Sequence, residues 1–502
     1  MKTGRRYSFI FILPALLCAT VNGQVRQPHS LYFMETIPQI SQMNPALQPR
    51  ANSYVSLPNV NIDFCSDLAV KNILQKQGDS WYTPVEKQYD YKKLRRAIGK
   101  NATMFNLGVD VDFIGFGFRT YNGYFSFGLS EHVSANFALP SDLFNVTDKG
   151  FPDGTALDFS PLRTRGLAYM QLLLGYSHKV SDKLTIGVNV KPLIGHAAAV
   201  SKIDKVELLT GTQQWDLDAK GNIYSSGFVD KIITNEKGKI ESFDSIKIKD
   251  FKNYKVEDAL SDYILNFNNL GVAFDFGAAY RFDERLTVSA SLNNLGFISW
   301  KNDLNSISFG GKYNFNGVTY DYPNDKNFGD LFSTLGDSIA NALNYDVKQN
   351  KFMTSLTPVL HVGASYKLTE GISVGLLSRS AFWKNGVRQS FNGSIYLQPY
   401  SFVSMNLGAT YQVKGSVHLG GGFQFLLGPL QIYFLVDNVP VYYSTIKVFK
   451  ADQGDVIETT LDLPYAPERF KTVTMRVGFN LVFGRHGYVN KPMLDKGKSS
   501  WN

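Results

Sequence analysis

Between Thr357 and Val441 apolar and polar residues alternate through one strand-length segment after another, with almost nothing between the segments, and a period of two reads as extended strand. From Val417 one face reads Val417, Leu419, Gly421, Phe423, Phe425, Leu427, and the other reads Ser416, His418, Gly420, Gly422, Gln424. The segment before it alternates Val403, Met405, Leu407, Ala409, Tyr411 with Ser404, Asn406, Gly408, Thr410, Gln412. Only Lys414-Gly415 separates the two, so they form a hairpin. Strands of about 9 to 11 residues cross a bilayer at a tilt of about 45°. One greasy face and one small or polar face, repeated at that length, predicts an all-β fold: a transmembrane antiparallel β-barrel, apolar outward and polar inward.

Fourteen strands are expected, starting near Ser53, Thr103, Gly123, Leu167, Lys183, Asn269, Arg285, Pro358, Ile372, Val387, Ser401, Ser416, Pro429 and Thr472. In the second, the alternation slips phase at Ile114-Gly115, which predicts a β-bulge. Gly277-Ala278-Ala279-Tyr280, Gly363-Ala364-Ser365-Tyr366 and Gly408-Ala409-Thr410-Tyr411 form a weak repeat. An outward Tyr suits the membrane interface, and the Gly is expected where a strand bends. Links near 64–102, 140–166, 201–268, 301–357 and 441–471 are long, whereas Tyr121-Asn122-Gly123, Ser181-Asp182-Lys183 and Asp283-Glu284 are tight. Long links fall on one side only. Transmembrane barrels keep short turns in the periplasm and long loops outside, which assigns the long links to the extracellular side and both termini to the periplasm.

Composition agrees with a barrel. The chain has 37 Phe, 27 Tyr and 43 Gly, 19% charged residues and a mean hydropathy of -0.14. Alternation dilutes barrel hydropathy in this way, and no run of about 18 apolar residues follows the first segment. That first segment, 1–23, places Lys2, Arg5 and Arg6 before the apolar run Phe9 to Leu17 and offers Val21-Asn22-Gly23 for cleavage, as a secretory signal peptide does. Without it the formal charge falls from +8 to +5, too small to point to a nucleic-acid partner. Cys65 is then the only cysteine, so no internal disulfide can form. Residues 24–51 are rich in Pro and polar side chains and read as an irregular arm, 52–485 as the barrel, and 486–502 as a periplasmic tail.

Asn44-Pro45-Ala46 near the mature N-terminus, ahead of a barrel, resembles the FadL-type long-chain fatty-acid transporters and related Bacteroidota barrels. Leu31 to Pro49, with Leu292-Asn293-Asn294-Leu295-Gly296-Phe297-Ile298-Ser299-Trp300, resembles an uncharacterised Bacteroidota outer-membrane barrel family. The resemblance implies that the arm enters the barrel as a hatch and that the barrel sits in the outer membrane. It also leaves two functions open. One is passive, porin-like uptake of a small hydrophobic or amphipathic compound; the other is a non-transporting platform for a surface or protein-export partner.

Candidate chemistry is sparse. No Gly-x-Ser-x-Gly elbow, His-Glu-x-x-His or phosphate-binding Gly loop occurs, and His361 and His418 fall on inward faces, so no enzyme, cofactor or metal site is expected. Asp216-Leu217-Asp218-Ala219-Lys220-Gly221-Asn222 looks like a calcium loop, but Gly227 stands where the bidentate Glu belongs, and a solvated turn is the expectation. Leu331, Leu335, Ile339 and Leu343 recur every fourth residue, as in an amphipathic helix, either a lid or a collecting surface for a hydrophobic ligand. Tyr91 to Lys100 is basic, either a solvated charge run or a contact for lipopolysaccharide phosphates. Asp244-Ser245-Ile246 and Asp337-Ser338-Ile339 resemble the short glycosylation sites of exported Bacteroidota proteins. The inward face carries both signs: Asp110, Asp112, Lys191, Asp275, Arg281, Lys367, Arg379, Arg388, Asp437 and Arg476. A self-paired polar network that supports the barrel and holds the arm is expected, because an ion-selective pore would show one excess sign.

Overall fold

Strands with one apolar face must hide their edges as well as that face; a closed barrel removes the edges, and with the apolar face outward a bilayer covers that face. The computed structural model describes residues 27–68, 72, 75–77, 80–82, 91–98, 101–149, 151–227, 229–232, 246–248, 268–315, 345–383, 386–413, 417–439, 443–448, 461–467 and 472–485. It is a closed, antiparallel barrel of fourteen strands. The first seven are β1 (Ala51–Ser56, continued by Asn59–Ser66), β2 (Ala102–Arg119), β3 (Gly123–Pro140), β4 (Arg163–Lys179), β5 (Leu184–Leu209), β6 (Leu270–Arg281) and β7 (Leu286–Trp300). The rest are β8 (Phe352–Ser355, continued by Val359–Thr369), β9 (Ile372–Trp383), β10 (Gly386–Tyr400), β11 (Val403–Gln412), β12 (Val417–Leu427), β13 (Leu430–Val439) and β14 (Thr472–Arg485). Each begins within a few residues of its expected start.

Every strand pairs with its successor, and β14 closes on β1, with Val55 opposite Leu481 and Ile62 opposite Met475. Leu57-Pro58 divides β1, consistent with Pro58 having no N–H for the ladder. The bulge in β2 falls one residue earlier than expected: Asp112 faces Ser130 and Ile114 faces Leu129, leaving Phe113 unpaired. Side chains outside are apolar and exposed, as at Leu376 (69%), Val417 (64%) and Leu427 (58%), while Gln424, Asn406, Asn480 and Arg476 are buried inside. Among the described residues no helix is long and apolar enough to cross a membrane.

The long links carry more order than connectors need. β5 runs on to Leu209, and its outer half pairs with a strand at Trp215–Ser226, which pairs in turn with one at Leu304–Phe315. The stretch expected as a solvated turn, Asp216 to Asn222, is therefore strand. Its Asp-rich spelling hid a period of two: Trp215, Leu217 and Ala219 are buried and Asp216 and Lys220 exposed. Helices at Tyr91–Ala97 and Ser141–Lys149 add Leu94, Leu143 and Phe144 to the same apolar cluster as Leu208, Trp215 and Leu217, which makes a cap with a core of its own.

Candidate functional site: a lumen filled by the arm

A fourteen-strand barrel is wider than wall side chains readily fill, so something must occupy it or it conducts water. Here residues 27–50 enter the lumen. Two 3-10 turns, His29–Phe33 and Pro38–Gln42, bury Leu31, Tyr32, Met34, Ile37 and Met43 among Leu377, Tyr396, Tyr433 and Leu435 of the wall. Pro38 opens the second turn, where its missing N–H has no helical partner to lose.

The wall receives the arm through missing side chains. A Cβ at Gly277 would lie under 3.0 Å from Asn44 and Pro45, one at Gly187 from Pro45 and Ala46, one at Gly363 from the Tyr32 ring, and one at Gly375 from the Phe33 ring. β5, β6, β8 and β9 thus offer inward glycines as a seat. Gly277 and Gly363 belong to the sequence repeat, so their purpose is the close approach of the arm rather than strand bending. Asn44-Pro45-Ala46 sits in this seat toward the short-turn end, and Asn44 also closes a local turn by accepting the Ala46 N–H at 2.9 Å. Asn44 donates from Nδ2 to the Tyr32 hydroxyl (3.1 Å) and to Ala290 O (3.3 Å).

The inward charges form several clusters rather than one network. Around the bulge in β2, Arg476 bonds Asp112 at 2.6 Å, the Tyr433 hydroxyl at 3.2 Å, Gln42 Oε1 at 2.9 Å and Gln27, the last two on the arm. Asp110 accepts from Gln27 of the arm (3.0 Å) and Asn61 (3.0 Å) and pairs with His132 (2.7 Å). On β13, next to β14, Asp437 accepts the backbone N–H groups of His29 and Ser30, and its carboxylate lies 3.2 Å from His29 Nδ1. A third cluster joins Lys191 to Asp275 at 2.6 Å.

That third cluster explains the Leu292–Trp300 motif. The β6–β7 register slips between Phe274 and Phe276, which face Leu295 and Leu292, and Asn294 takes a φ of 62°. Asn tolerates that left-handed geometry better than a branched residue would. Asn294 donates its N–H to Asp275 (2.8 Å) and accepts from Lys191 (2.9 Å), while Asn293 donates to the Gln42 and Met43 carbonyls (3.0 Å each). The motif is a bulge that grips the arm, and the spelling Asn-Asn between apolar residues was its signal.

The remaining sequence candidates lie apart. Arg379 is buried on β9. Arg388 sits toward the long-link end, 4.0 Å from Asp67 and over the Trp383 ring at 4.7 Å. Arg281 and Lys367 stand at the short-turn mouth. His361 is buried 3.4 Å from Ser291, away from the lipid face. Lys92, Lys93, Arg95 and Arg96 are exposed on the Tyr91–Ala97 helix. Leu331, Leu335, Ile339 and Leu343 lie outside the described residues, as do Asp244, Ser245 and Asp337-Ser338-Ile339. Sequence reasoning missed Gln39, which donates to Ser56 (3.1 Å) and Asn480 (2.8 Å), and Arg119, which donates to Gln48 (2.8 Å) and the Pro49 carbonyl. Among the described residues no cluster of His, Cys, Asp and Glu could hold a metal ion.

Fold and site together define a class: a closed fourteen-strand barrel plugged by its own N-terminal arm. Within it the chain belongs to a family of unknown function, DUF5723, whose model matches residues 45–437. No curated protein matches the sequence. Solved structures similar to it include the toluene transporter TbuX of Ralstonia pickettii, at 10% identity and a TM-score of 0.41, covering 92% of this chain and 96% of that one. A FadL homologue from Pseudomonas aeruginosa stands at 11% identity and 0.40, covering 92% and 99%. The translocator domain of the autotransporter NalP from Neisseria meningitidis stands at 8% and 0.30, covering 86% and 89%. Likenesses at this level carry no function across.

Proposed function

We propose that the chain is an outer-membrane barrel for passive uptake of small hydrophobic or amphipathic compounds, with residues 27–50 as the movable element. The observation that carries this reading is how the plug is held. The arm is not a strand of the wall; it rests in glycine niches and is tied by individual hydrogen bonds such as Ser291 Oγ to Met43 O at 2.7 Å. Each such bond contributes about 1 kcal/mol, so the stretches held by hydrogen bonds alone can let go while the barrel stays closed, and the apolar patch of Leu31, Met34 and Ile37 is what keeps the rest seated. The exposed cations of the Tyr91–Ala97 helix suit the phosphates of lipopolysaccharide around the long-link end.

A non-transporting barrel that serves a surface or export partner is the second reading. The saturation of buried Arg476 by Asp112 and the arm favours it, because that cluster stiffens the plug. One experiment separates the two. Proteoliposomes carrying the Met43→Cys/Ser291→Cys variant should admit an apolar dye when reduced and lose that flux when the pair is oxidised. Unchanged flux on locking, or a stoichiometric co-purifying protein without bound amphiphile, would overturn uptake.

A further inference from the structure

Four consecutive strands that descend to the short-turn end finish with one triplet: a small residue, an aromatic ring, a cation. They read Gly117-Phe118-Arg119, Ser177-His178-Lys179, Ala279-Tyr280-Arg281 and Ser365-Tyr366-Lys367 on β2, β4, β6 and β8. Period two fixes what this means in space. The rings of Phe118, Tyr280 and Tyr366 turn outward and are exposed at the end of the apolar belt, so the cations turn inward.

Below the arm these cations border a cavity of about 520 Å³, which Phe33, Leu47, Ile372 and Tyr396 also line and where, with Arg50 and Arg285, six cations face the three carboxylates of Glu35, Glu284 and Glu370. Arg119 is committed to the arm through Gln48 and Pro49, and Arg50 to Glu35 at 3.2 Å. Lys179, Arg281 and Lys367 are exposed and make no side-chain hydrogen bond or ion pair with a described residue. Apart from Glu35 on the arm, the nearby acids sit in the turns. Asp283 accepts the Leu286 and Arg285 N–H groups at 2.7 Å each, which holds its carboxyl below the usual carboxylate range. Asp182, Glu284 and Glu370 lie in the turns themselves.

We infer that this vestibule binds a small organic anion, a carboxylate or phosphate on an apolar body. Inward rings of Arg and Lys select anions. The cavity falls within the roughly 300–1,000 Å³ typical of small-ligand sites. An acidic protein surface would meet the carboxylates of the turns before the cations behind them, so the arrangement favours a small solute. As a charge filter where cargo leaves the barrel, the site rests on the uptake reading above; its occupancy can be measured without it.

The test uses the full chain in neutral nanodiscs and fluorine NMR of terminally trifluorinated hexanoate, hexyl phosphate and hexanol. At least one anion should bind saturably and about tenfold more tightly than the alcohol, and added salt should weaken only the anion. The Arg281→Gln/Lys367→Gln variant should lower anion affinity about tenfold while the heat-modifiable gel mobility stays as in the parent. Tighter hexanoate points to a carboxylate ligand and tighter hexyl phosphate to a phosphate; either supports the site. Equal binding of all three compounds, or anion binding untouched in the double variant, overturns it. Anion binding that persists while locking the arm leaves dye flux unchanged would keep the site and sink the uptake reading.

Discussion

The lumen and the cap solve the same problem by opposite means. In the lumen the wall is largely polar and the filling is a separate segment, joined through glycine niches, carboxamide bonds such as that of Gln42 with Arg476, and an apolar patch in which Leu31, Met34 and Ile37 cluster with Leu377 and Leu435. In the cap the elements are themselves amphipathic, and Leu94, Phe144, Leu208, Trp215 and Leu217 pack into an ordinary apolar core. The difference teaches where reversibility can reside. An apolar core resists opening because its contacts are lost together, whereas the hydrogen-bonded parts of the arm, unlike its apolar patch, can exchange their bonds for water one at a time.

Substitutions can break this contrast at either end. The largest effect is expected from Arg476→Ala, which takes the cation from half-buried Asp112 and removes one of the hydrogen bonds of each of Gln27 and Gln42, leaving those of Gln42 to Asp112 and of Gln27 to Asp110. Breaking a buried pair on one side costs about 3–5 kcal/mol, so the temperature at which heat-modifiable mobility is lost should drop clearly. A mobility transition at the parent temperature would mean that the cluster does not hold the barrel.

Trp215→Ala should cost the cap about 3 kcal/mol, enough for protease to cut the long links, without moving that transition. Parallel loss of both would show that cap and barrel form one cooperative unit. Gly277→Leu drives a side chain into Asn44 and Pro45 and should weaken the docked arm by about 1–3 kcal/mol. A cysteine at Met43 in that background should then label with a bulky thiol reagent about tenfold faster than in the parent. Tyr32→Phe removes the hydroxyl that contacts Ser289 at 3.0 Å and Asn44 at 3.1 Å. It should raise the same labelling only a few-fold, for a cost of about 1 kcal/mol.

Strand count, closure and the inward placement of Asp110, Asp275 and Arg476 were legible in the sequence because side-chain direction in a strand has a fixed period of two. One slip, read at Ile114-Gly115 and found one residue earlier at Phe113, was visible because the alternation itself breaks in that stretch. The register slip at Asn293-Asn294 went unread, although the outward phase changes there from Val288, Ala290 and Leu292 to Leu295 and Phe297, because apolar Ile298 and Trp300 on the inward face blur the alternation beyond it. The meaning of Gly277 and Gly363 was hidden for a related reason: what each glycine makes room for lies more than 200 residues away in the chain.

What the sequence determined by itself is therefore the wall: which faces meet lipid and which meet the lumen. Those properties follow from neighbours two residues apart and need no knowledge of the fold. Only the tertiary structure decided what fills the wall. The pairing of Asn44 with Gly277, of Gln42 with Arg476 and of Lys191 with Asp275 depends on the lumen's width and on the strand register, which exist only once β14 has closed on β1.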